Sequence, residues 1–564
     1  MLTRRKAMKT ITLATASAAV DFRSLLQPPA QTSGAVYKAP ALFTDISSQA
    51  KIIFRHFNGA QSDFYLPEIM GSGAAFLDYD GDGYLDIFLV NGGSLSAPRL
   101  TDPTCMLFRN NRDRTFTNVT EQVKVNIKGF SGMGVAVADY DNDGYPDLYV
   151  TGYPRSYLLR NNGDGTFRDV TETAGVMNMN HWASSAGFFD YDRDGLLDLF
   201  VCNYVSFDPH HNPVCQDGGF RSYCHPSVFR GDHCTLYHNN GDGTFSDVTH
   251  ECGIGSSIGK ALGVAFADYD EDGWPDIFVA NDSVPNFLFH NKGNGTFEEV
   301  GLPGGVAYDQ NGHPRAGMGA DFGDYDGDGR LDLLVTNFAN EGNALFHNNG
   351  DGSFSEVTYQ TGILNGSFLN VGFGVGFFDC NNDGNLDVFV ANGHVAPGIE
   401  KYRDDFSFKQ KKLLYINQGG YFEELSKDAG SCFAVPNVGR GVAFGDIDND
   451  GNIDVLVTNN GGLPELLRNN GSDGNHWLTL KLVGHKSNRD GIGASIKARV
   501  KDRLLVTQVQ TAGSYLSSRD PRPHFGLGRA EEVSQLDIQW PSGIVQTIRN
   551  VRANQILVVH EATR

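Results

Sequence analysis

The pattern D-x-[DN]-x-D-G-x-x-D occurs seven times in this chain, each time between two short apolar runs. The copies span 78–86, 139–147, 190–198, 268–276, 324–332, 379–387 and 446–454. Oxygen-bearing side chains at alternate positions gather several carboxylates about one point, and the glycine at position six allows the sharp turn that wraps them. Close carboxylates in such a turn repel by about 4 kcal/mol per pair at moderate dielectric. A loop of this kind is built to hold a cation, and its oxygen donors are those of Ca²⁺.

Positions one, three and five are expected to supply side-chain oxygens, position seven a backbone carbonyl and position nine a carboxylate. The first three loops then offer Asp78, Asp80, Asp82, Tyr84 and Asp86; Asp139, Asp141, Asp143, Tyr145 and Asp147; and Asp190, Asp192, Asp194, Leu196 and Asp198. The fourth and fifth offer Asp268, Asp270, Asp272, Trp274 and Asp276, then Asp324, Asp326, Asp328, Arg330 and Asp332. The last two offer Asp379, Asn381, Asp383, Asn385 and Asp387, then Asp446, Asp448, Asp450, Asn452 and Asp454. Loop six departs from the rest, with Asn381 at position three and Cys380 where five others have Tyr. It keeps a neutral oxygen and is expected to bind, but most weakly. An EF-hand is excluded, because the flanks read as strands and the twelfth position of the first loop is Leu89 rather than Glu.

The formal charge of −22 disfavours nucleic acid and anionic membranes as partners, yet 27 of the 67 acidic residues are the loop aspartates. Up to seven Ca²⁺ would add 14 positive charges and leave about −8, so the acidity is mostly that of the metal sites. A basic partner is not required, and a monomer is expected.

Residues 1–19 read as a signal peptide: Arg4-Arg5-Lys6 precedes a weakly apolar stretch with small residues, and the paired Arg resembles the twin-arginine export type. A disordered basic tail is the other reading. Residues 20–40 would form a linker. No later segment has the length and apolarity of a transmembrane helix, so a periplasmic or extracellular protein is expected. The eight Cys are compatible with disulfides there. Cys202, Cys215, Cys224 and Cys234 sit in or beside an insertion after the third loop; Cys215 with Cys224 is the first expected pair and Cys202 with Cys234 the second. His210, His211, His225 and His233 lie in the same segment, but their irregular spacing argues against a metal site.

Apolar runs before and after each loop, such as Gly263–Asp268 and Asp276–Asn281, are enriched in β-branched and aromatic residues, so the loop joins a β-hairpin. In most units a third and a fourth strand follow, joined by Asn-Gly or Asp-Gly turns as at 161–165. The fourth strand begins with Phe: Phe116, Phe167, Phe245, Phe297, Phe354 and Phe422. A seventh copy, Phe43–Ser47, stands ahead of the first loop, while the third strand of the last unit has no fourth behind it. The N-terminal copy would fill that gap. The expected fold is all-β: a seven-bladed β-propeller over residues 41–474, which leaves only short, protected strand edges. A linear solenoid is the competing arrangement.

From Asn475 the repeats stop and the charge reverses, with 13 Lys or Arg against 7 Asp or Glu. Alternation at Leu478, Leu480 and Leu482, and at Leu536, Ile538 and Trp540, indicates a small antiparallel β domain over 475–564 with a Pro541-Ser542-Gly543 turn.

The repeats resemble the FG-GAP or VCBS repeats of integrin α-chain propellers. The stretches Ser487–Ala494, Gly513–Ser518, Phe525–Gly528 and Trp540–Gly543 look like the ASPIC/UnbV domain. Together they follow the order found in the cartilage acidic protein family. The resemblance implies an extracellular calcium-binding protein and supplies no catalytic activity.

A binding or adhesion module for an extracellular protein or glycan is the leading function. An Asn stands five positions beyond the last ligand in six units, at Asn91, Asn203, Asn281, Asn337, Asn392 and Asn459. These either cap turns or line a ligand platform opposite the loops, turn capping being the better supported. The rival class is a calcium-stabilised propeller enzyme, a polysaccharide lyase or hydrolase, for which His181, His313, Arg315 and His394 are candidates on the same face.

Overall fold

The structure is a computed structural model and describes residues 41–95, 101–217, 219–471 and 474–563. The expected signal peptide and linker, 1–40, lie outside the described residues.

Residues 41–469 form seven four-stranded antiparallel sheets arranged as propeller-like blades. Blade 4 shows the common plan, Ala261–Ala267, Asp276–Asn281, Phe287–Asn291 and Phe297–Glu299 paired in sequence order. Its first strand is wholly buried and its fourth is buried only at the leading Phe, which matches the fall in hydrophobicity from inner to outer strand. The first strands of successive blades lie side by side, and that of blade 7, Gly439–Gly445, returns beside that of blade 1, Ala74–Leu77. Blade 7 takes its fourth strand from the N-terminal end: Phe43–Asp45 pairs with Glu465–Asn469 in the register Phe43↔Asn469, Thr44↔Arg468 and Asp45↔Leu467. The ring closes as the split repeat predicts, and a linear solenoid is excluded.

One Asn per blade staples this ring. The last residue of each third strand, such as Asn161, donates its backbone N–H to the position-nine aspartate of its own loop, here Asp147 at 2.7 Å. Its side-chain amide donates to the position-two carbonyl of the preceding blade, here Tyr79 at 2.8 Å. Asn110, Asn239, Asn291, Asn348, Asn417 and Asn469 repeat both contacts, so Asn110 ties blade 1 back to Ile447 of blade 7. Aromatic packing runs in parallel: the position-two tyrosines Tyr79, Tyr140, Tyr191, Tyr269 and Tyr325 each pack against the fourth-strand Phe of the following blade.

The C-terminal residues form two sheets. One has the order Arg503–Gln508, Ser495–Val500, Glu532–Gln539, Val545–Arg552, with the expected Pro541–Gly543 turn between the last two. The other places His476–Val483 between His524–Gly528 and Gln555–His560. Pairing of His476–Val483 with Gln555–His560 is parallel, which corrects the expectation of a wholly antiparallel domain. The final strand runs back from a hairpin and reaches its partner in the same direction, a long-range pairing with no local signature in the sequence.

These strands do not stand apart from the blades. The segment 512–520 enters the ring, where Ser514 exchanges hydrogen bonds with Ala320, the Leu516 carbonyl accepts from Val135, and Ser518 donates to Ala74. A β-carbon on Gly73 would lie 1.6 Å from the Leu516 carbonyl oxygen, so this inner-strand position accepts only glycine.

Of the cysteine expectations, Cys215 and Cys224 form a disulfide with Cα atoms 5.2 Å apart. Cys105, Cys380 and Cys432 are free. Cys202 and Cys234 are free as well, which corrects the second expected pair; Cys202, in the strand Asp198–Asn203, and Cys234, just ahead of the strand Thr235–Asn239, are packed as thiols in one buried apolar cluster of blade 3. Among the described residues no helix is long and apolar enough to cross a membrane.

Candidate metal centres

All seven loops share one geometry. The position-six glycines have φ between 83° and 96°, and the position-one carboxylate accepts their N–H: Gly83 to Asp78 at 3.0 Å, Gly144 to Asp139 at 2.7 Å, Gly451 to Asp446 at 2.7 Å. The position-five aspartate accepts the N–H of position seven, as in Tyr84 to Asp82, Leu196 to Asp194 and Asn385 to Asp383. The position-nine aspartate is the most buried, and its two oxygens accept N–H groups from position two and from the stapling Asn. Each predicted set of four oxygen-bearing side chains is therefore gathered in one turn.

The arrangement leaves oxygens with no protein partner. Oδ1 of the position-three residues Asp80, Asp141, Asp192 and Asp448, and of Asp268 at position one, is buried and accepts no hydrogen bond. Burial, the largest cause, pushes the carboxyls of Asp139 and Asp190 up to about 8 and those of Asp268, Asp324 and Asp446 to about 7, with neighbouring aspartates adding to the effect. Buried, unpartnered, mutually repelling carboxylate oxygens are the donor set of a hard divalent cation. Asp78, Asp80 and Asp82, and Asp139, Asp141 and Asp143, bring ligand atoms within 4.8 Å of one another, a spacing compatible with one metal ion. Three further clusters include an imidazole: Asp192, Asp194 and His238; Asp270, Asp272 and His290; Asp326, Asp332 and His347.

Two sets of residues escaped sequence reasoning. The stapling asparagines were legible as an Asn ending every third strand. The position-four residues were not, because they vary in type, yet Asn142, Arg193, Glu271, Asn382 and Asn449 all adopt left-handed φ between 55° and 62°. They face the C-terminal strands. Asn142 accepts from the Arg489 N–H at 2.7 Å, Asn382 meets His524 at 2.7 Å, Asn449 accepts from Arg522 at 3.0 Å, and Glu271 pairs with Lys497 at 3.0 Å. Arg503 donates to the Asp383 and Gly384 carbonyls at 2.9 and 2.6 Å. The positive C-terminal region is thus seated on the acidic loop face.

The opposite face holds no convergent group among the candidates named from sequence. His181 pairs with Asp232 at 2.8 Å, Arg315 with Glu356 at 2.7 Å, His313 sits in an exposed turn with Asp309, and His394 is buried between Phe338 and Phe406. The six asparagines at strand ends are buried; Asn91 accepts the Phe57 N–H, while Asn281 and Asn459 donate to the turn carbonyls of Pro285 and Leu463. Asn281, Asn337 and Asn459 cap turns, whereas Asn91, Asn203 and Asn392 tie their strand ends to more distant segments; being buried, they line no platform. The insertion lies over this face, held to the segment 63–68 by Asn212, Arg221 and Tyr223, which bond Asp63 and Glu68. Its histidines serve separate contacts, His211 with Asp208, His225 with Ser227 and His233 with His181.

Residues 78–150, 139–201, 228–279, 268–335 and 324–390 match the model of the FG-GAP-like repeat, and residues 484–564 match that of ASPIC and UnbV. Cartilage acidic protein 1 of Mus musculus is 23% identical over 529 residues, covering 87% of this chain and 74% of that protein. The Xenopus tropicalis protein is 25% identical over 515 residues, covering 87% and 73%. Among solved structures, an Agrocybe aegerita lectin described as recognising non-reducing terminal N-acetylglucosamine is 20% identical with a TM-score of 0.36, over 62% of this chain and 79% of the lectin. A rhamnogalacturonan lyase of Bacillus licheniformis is 14% identical with a TM-score of 0.36, over 70% and 71%. With its repeats and its C-terminal region both accounted for, the chain belongs to the FG-GAP-like repeat proteins that carry an ASPIC and UnbV domain, as a distant homologue of cartilage acidic protein 1.

Proposed function

We propose that this is an exported calcium-binding protein, a seven-bladed, integrin α-like propeller over 41–474 with an ASPIC/UnbV domain over 475–564, that acts as a binding or adhesion module for an extracellular protein or glycan. The observation that carries the calcium reading is the set of buried position-three Oδ1 atoms with no hydrogen-bond partner, aimed into turns that hold three other oxygen donors. The ligands are those of the seven loops, from Asp78 to Asp454, with Ca²⁺ in a structural role at up to seven sites. A disulfide in the insertion fits an oxidising compartment and hence export.

The binding reading draws on how the two faces are used. The loop face is occupied by the chain's own C-terminal strands, which leaves the opposite face, with its disulfide-stapled insertion, as the side offered to a ligand. Lyase or hydrolase chemistry would need acid, base and electrophile within reach of one point, and His181, His313, Arg315 and His394 are each engaged in a separate local contact. The test is a glycan array and an extracellular-matrix panel probed with the intact protein in calcium and in chelator. A ligand retained in calcium and lost on chelation supports the reading; turnover of a polysaccharide without stable retention would replace it with the enzyme class.

A further inference from the structure

Of the six strand-end asparagines, Asn459 alone hydrogen-bonds a carboxylate among the described residues. Its Nδ2 donates to Glu465 Oε2 at 3.1 Å and to the Leu463 carbonyl at 2.9 Å. The other oxygen of Glu465 meets Lys412 Nζ at 2.7 Å. All three side chains are buried, at 3% exposure for Lys412, 4% for Asn459 and 6% for Glu465. Both neighbours of Nδ2 are acceptors, so the Asn459 amide cannot be turned over without setting its oxygen against two others. Oδ1 points the other way, where it is buried and accepts no hydrogen bond.

The three residues meet at the seam between two blades. Lys412 stands just ahead of the third strand of blade 6, Leu413–Asn417. Asn459 ends the second strand of blade 7, Asp454–Asn459, and Glu465 begins its third, Glu465–Asn469. Glu465 pairs with Val457, a member of the apolar cluster packed between the two blades. In the common register only blade 6 has Lys in its place, and only blade 7 has an acidic residue at the start of the third strand.

A buried ion pair meets a desolvation cost that its attraction offsets only in part, and this one adjoins an amide carbon. Passing the shared proton from Nζ to Oε1 leaves a neutral amine, which is a nucleophile, and a neutral carboxylic acid, which is a proton donor. Nζ then adds to Cγ of Asn459 and forms a C–N bond. Glu465 gives its proton to Nδ2 and takes one from Nζ in return, and the Cγ–Nδ2 bond breaks as the Oδ1 carbonyl re-forms. The Lys ammonium and the Asn carboxamide become one secondary amide and one ammonium ion, with Glu465 restored and no co-reactant consumed. The exchange needs a single group in contact with the nitrogen that loses protons and with the nitrogen that gains them, and Glu465 touches both.

We propose that Lys412 and Asn459 join in an amide cross-link between blades 6 and 7, with Glu465 as the catalytic residue that moves the protons. The link fastens blade 6 to the blade that takes its fourth strand from Phe43–Asp45. It involves none of the loop ligands and does not rest on the calcium reading.

The test is mass spectrometry of the intact folded protein after denaturation and digestion with trypsin. The wild type is expected to yield a branched peptide holding both Lys412 and Asn459, lighter by one ammonia than its two parts together, with no cleavage after Lys412. Glu465→Gln, which keeps the shape but cannot take a proton, and Lys412→Arg are each expected to give the two peptides separately. Wild-type protein that gives them separately would show an ion pair only and overturn the proposal, and this digest decides alone if either variant fails to fold. A loss of ammonia that persists in Lys412→Arg would also overturn it, by assigning the loss to another Asn.

Discussion

Tyr515, from the C-terminal region, donates its phenol hydroxyl to the Met70 carbonyl at 3.1 Å from inside the ring of blades. Its ring packs on Phe373 and beside Arg440, a fully buried guanidinium whose N–H groups are satisfied by the carbonyls of Ile69, Gly393 and Gly439. One side chain thus connects the last hundred residues to blades 1, 6 and 7, and the two regions are expected to unfold together.

Tyr515→Ala should therefore destabilise the whole protein, by about 3 to 5 kcal/mol for a large buried ring. Tyr515→Phe, which loses only the hydrogen bond, should cost about 1 kcal/mol. Urea unfolding followed by tryptophan fluorescence reads both, since Trp182 lies in a blade and Trp540 in the C-terminal sheets. Two separate transitions in the wild type would refute the coupling.

Loop substitutions separate ligand from pairing roles. Asp448 holds Arg114 at 2.6 Å and Arg468 at 3.2 Å, whereas Asn381 is neutral and brings no carboxylate to the sixth loop. At saturating calcium Asp448→Ala should lower stability more than Asn381→Ala, by about 1 to 3 kcal/mol, because it leaves two guanidinium groups without that partner. Millimolar calcium should raise the melting temperature of the wild type strongly and magnesium should substitute poorly, as its octahedral shell fits these turns badly.

Acidity should act in opposite directions with and without metal. In chelator, carboxyls such as Asp139 and Asp190 sit at about 8 when folded against 3.8 for the ordinary group, so between these values the folded state binds more protons than the unfolded one. Stability of the metal-free protein should then fall as pH rises from about 4 to 8. In calcium the ligands must be ionised, and the trend should reverse. Melting curves at pH 5 and 8 in both buffers check the sign; parallel trends would count against the loops as metal sites.

Closure of the ring makes the N-terminal strand indispensable. Phe43 is buried and packs against Phe378 and Phe433, so Phe43→Ala should cost about 3 to 5 kcal/mol. Deleting residues 41–47 uncovers the edge of Glu465–Asn469 and should produce oligomers on size exclusion, since an open strand edge pairs with other chains.

The repeat period, the split first unit and the loop spacing were enough to determine the blades, their closure through Phe43–Asp45 and the gathering of four oxygen donors per loop. All of these are set by local alternation and turn chemistry repeated seven times. Tertiary structure alone decided what covers each face. Pairing of His476–Val483 with Gln555–His560, entry of Tyr515 between the inner strands and the seating of Arg489, Arg503 and His524 on the loops are long-range contacts between segments with no repeating pattern.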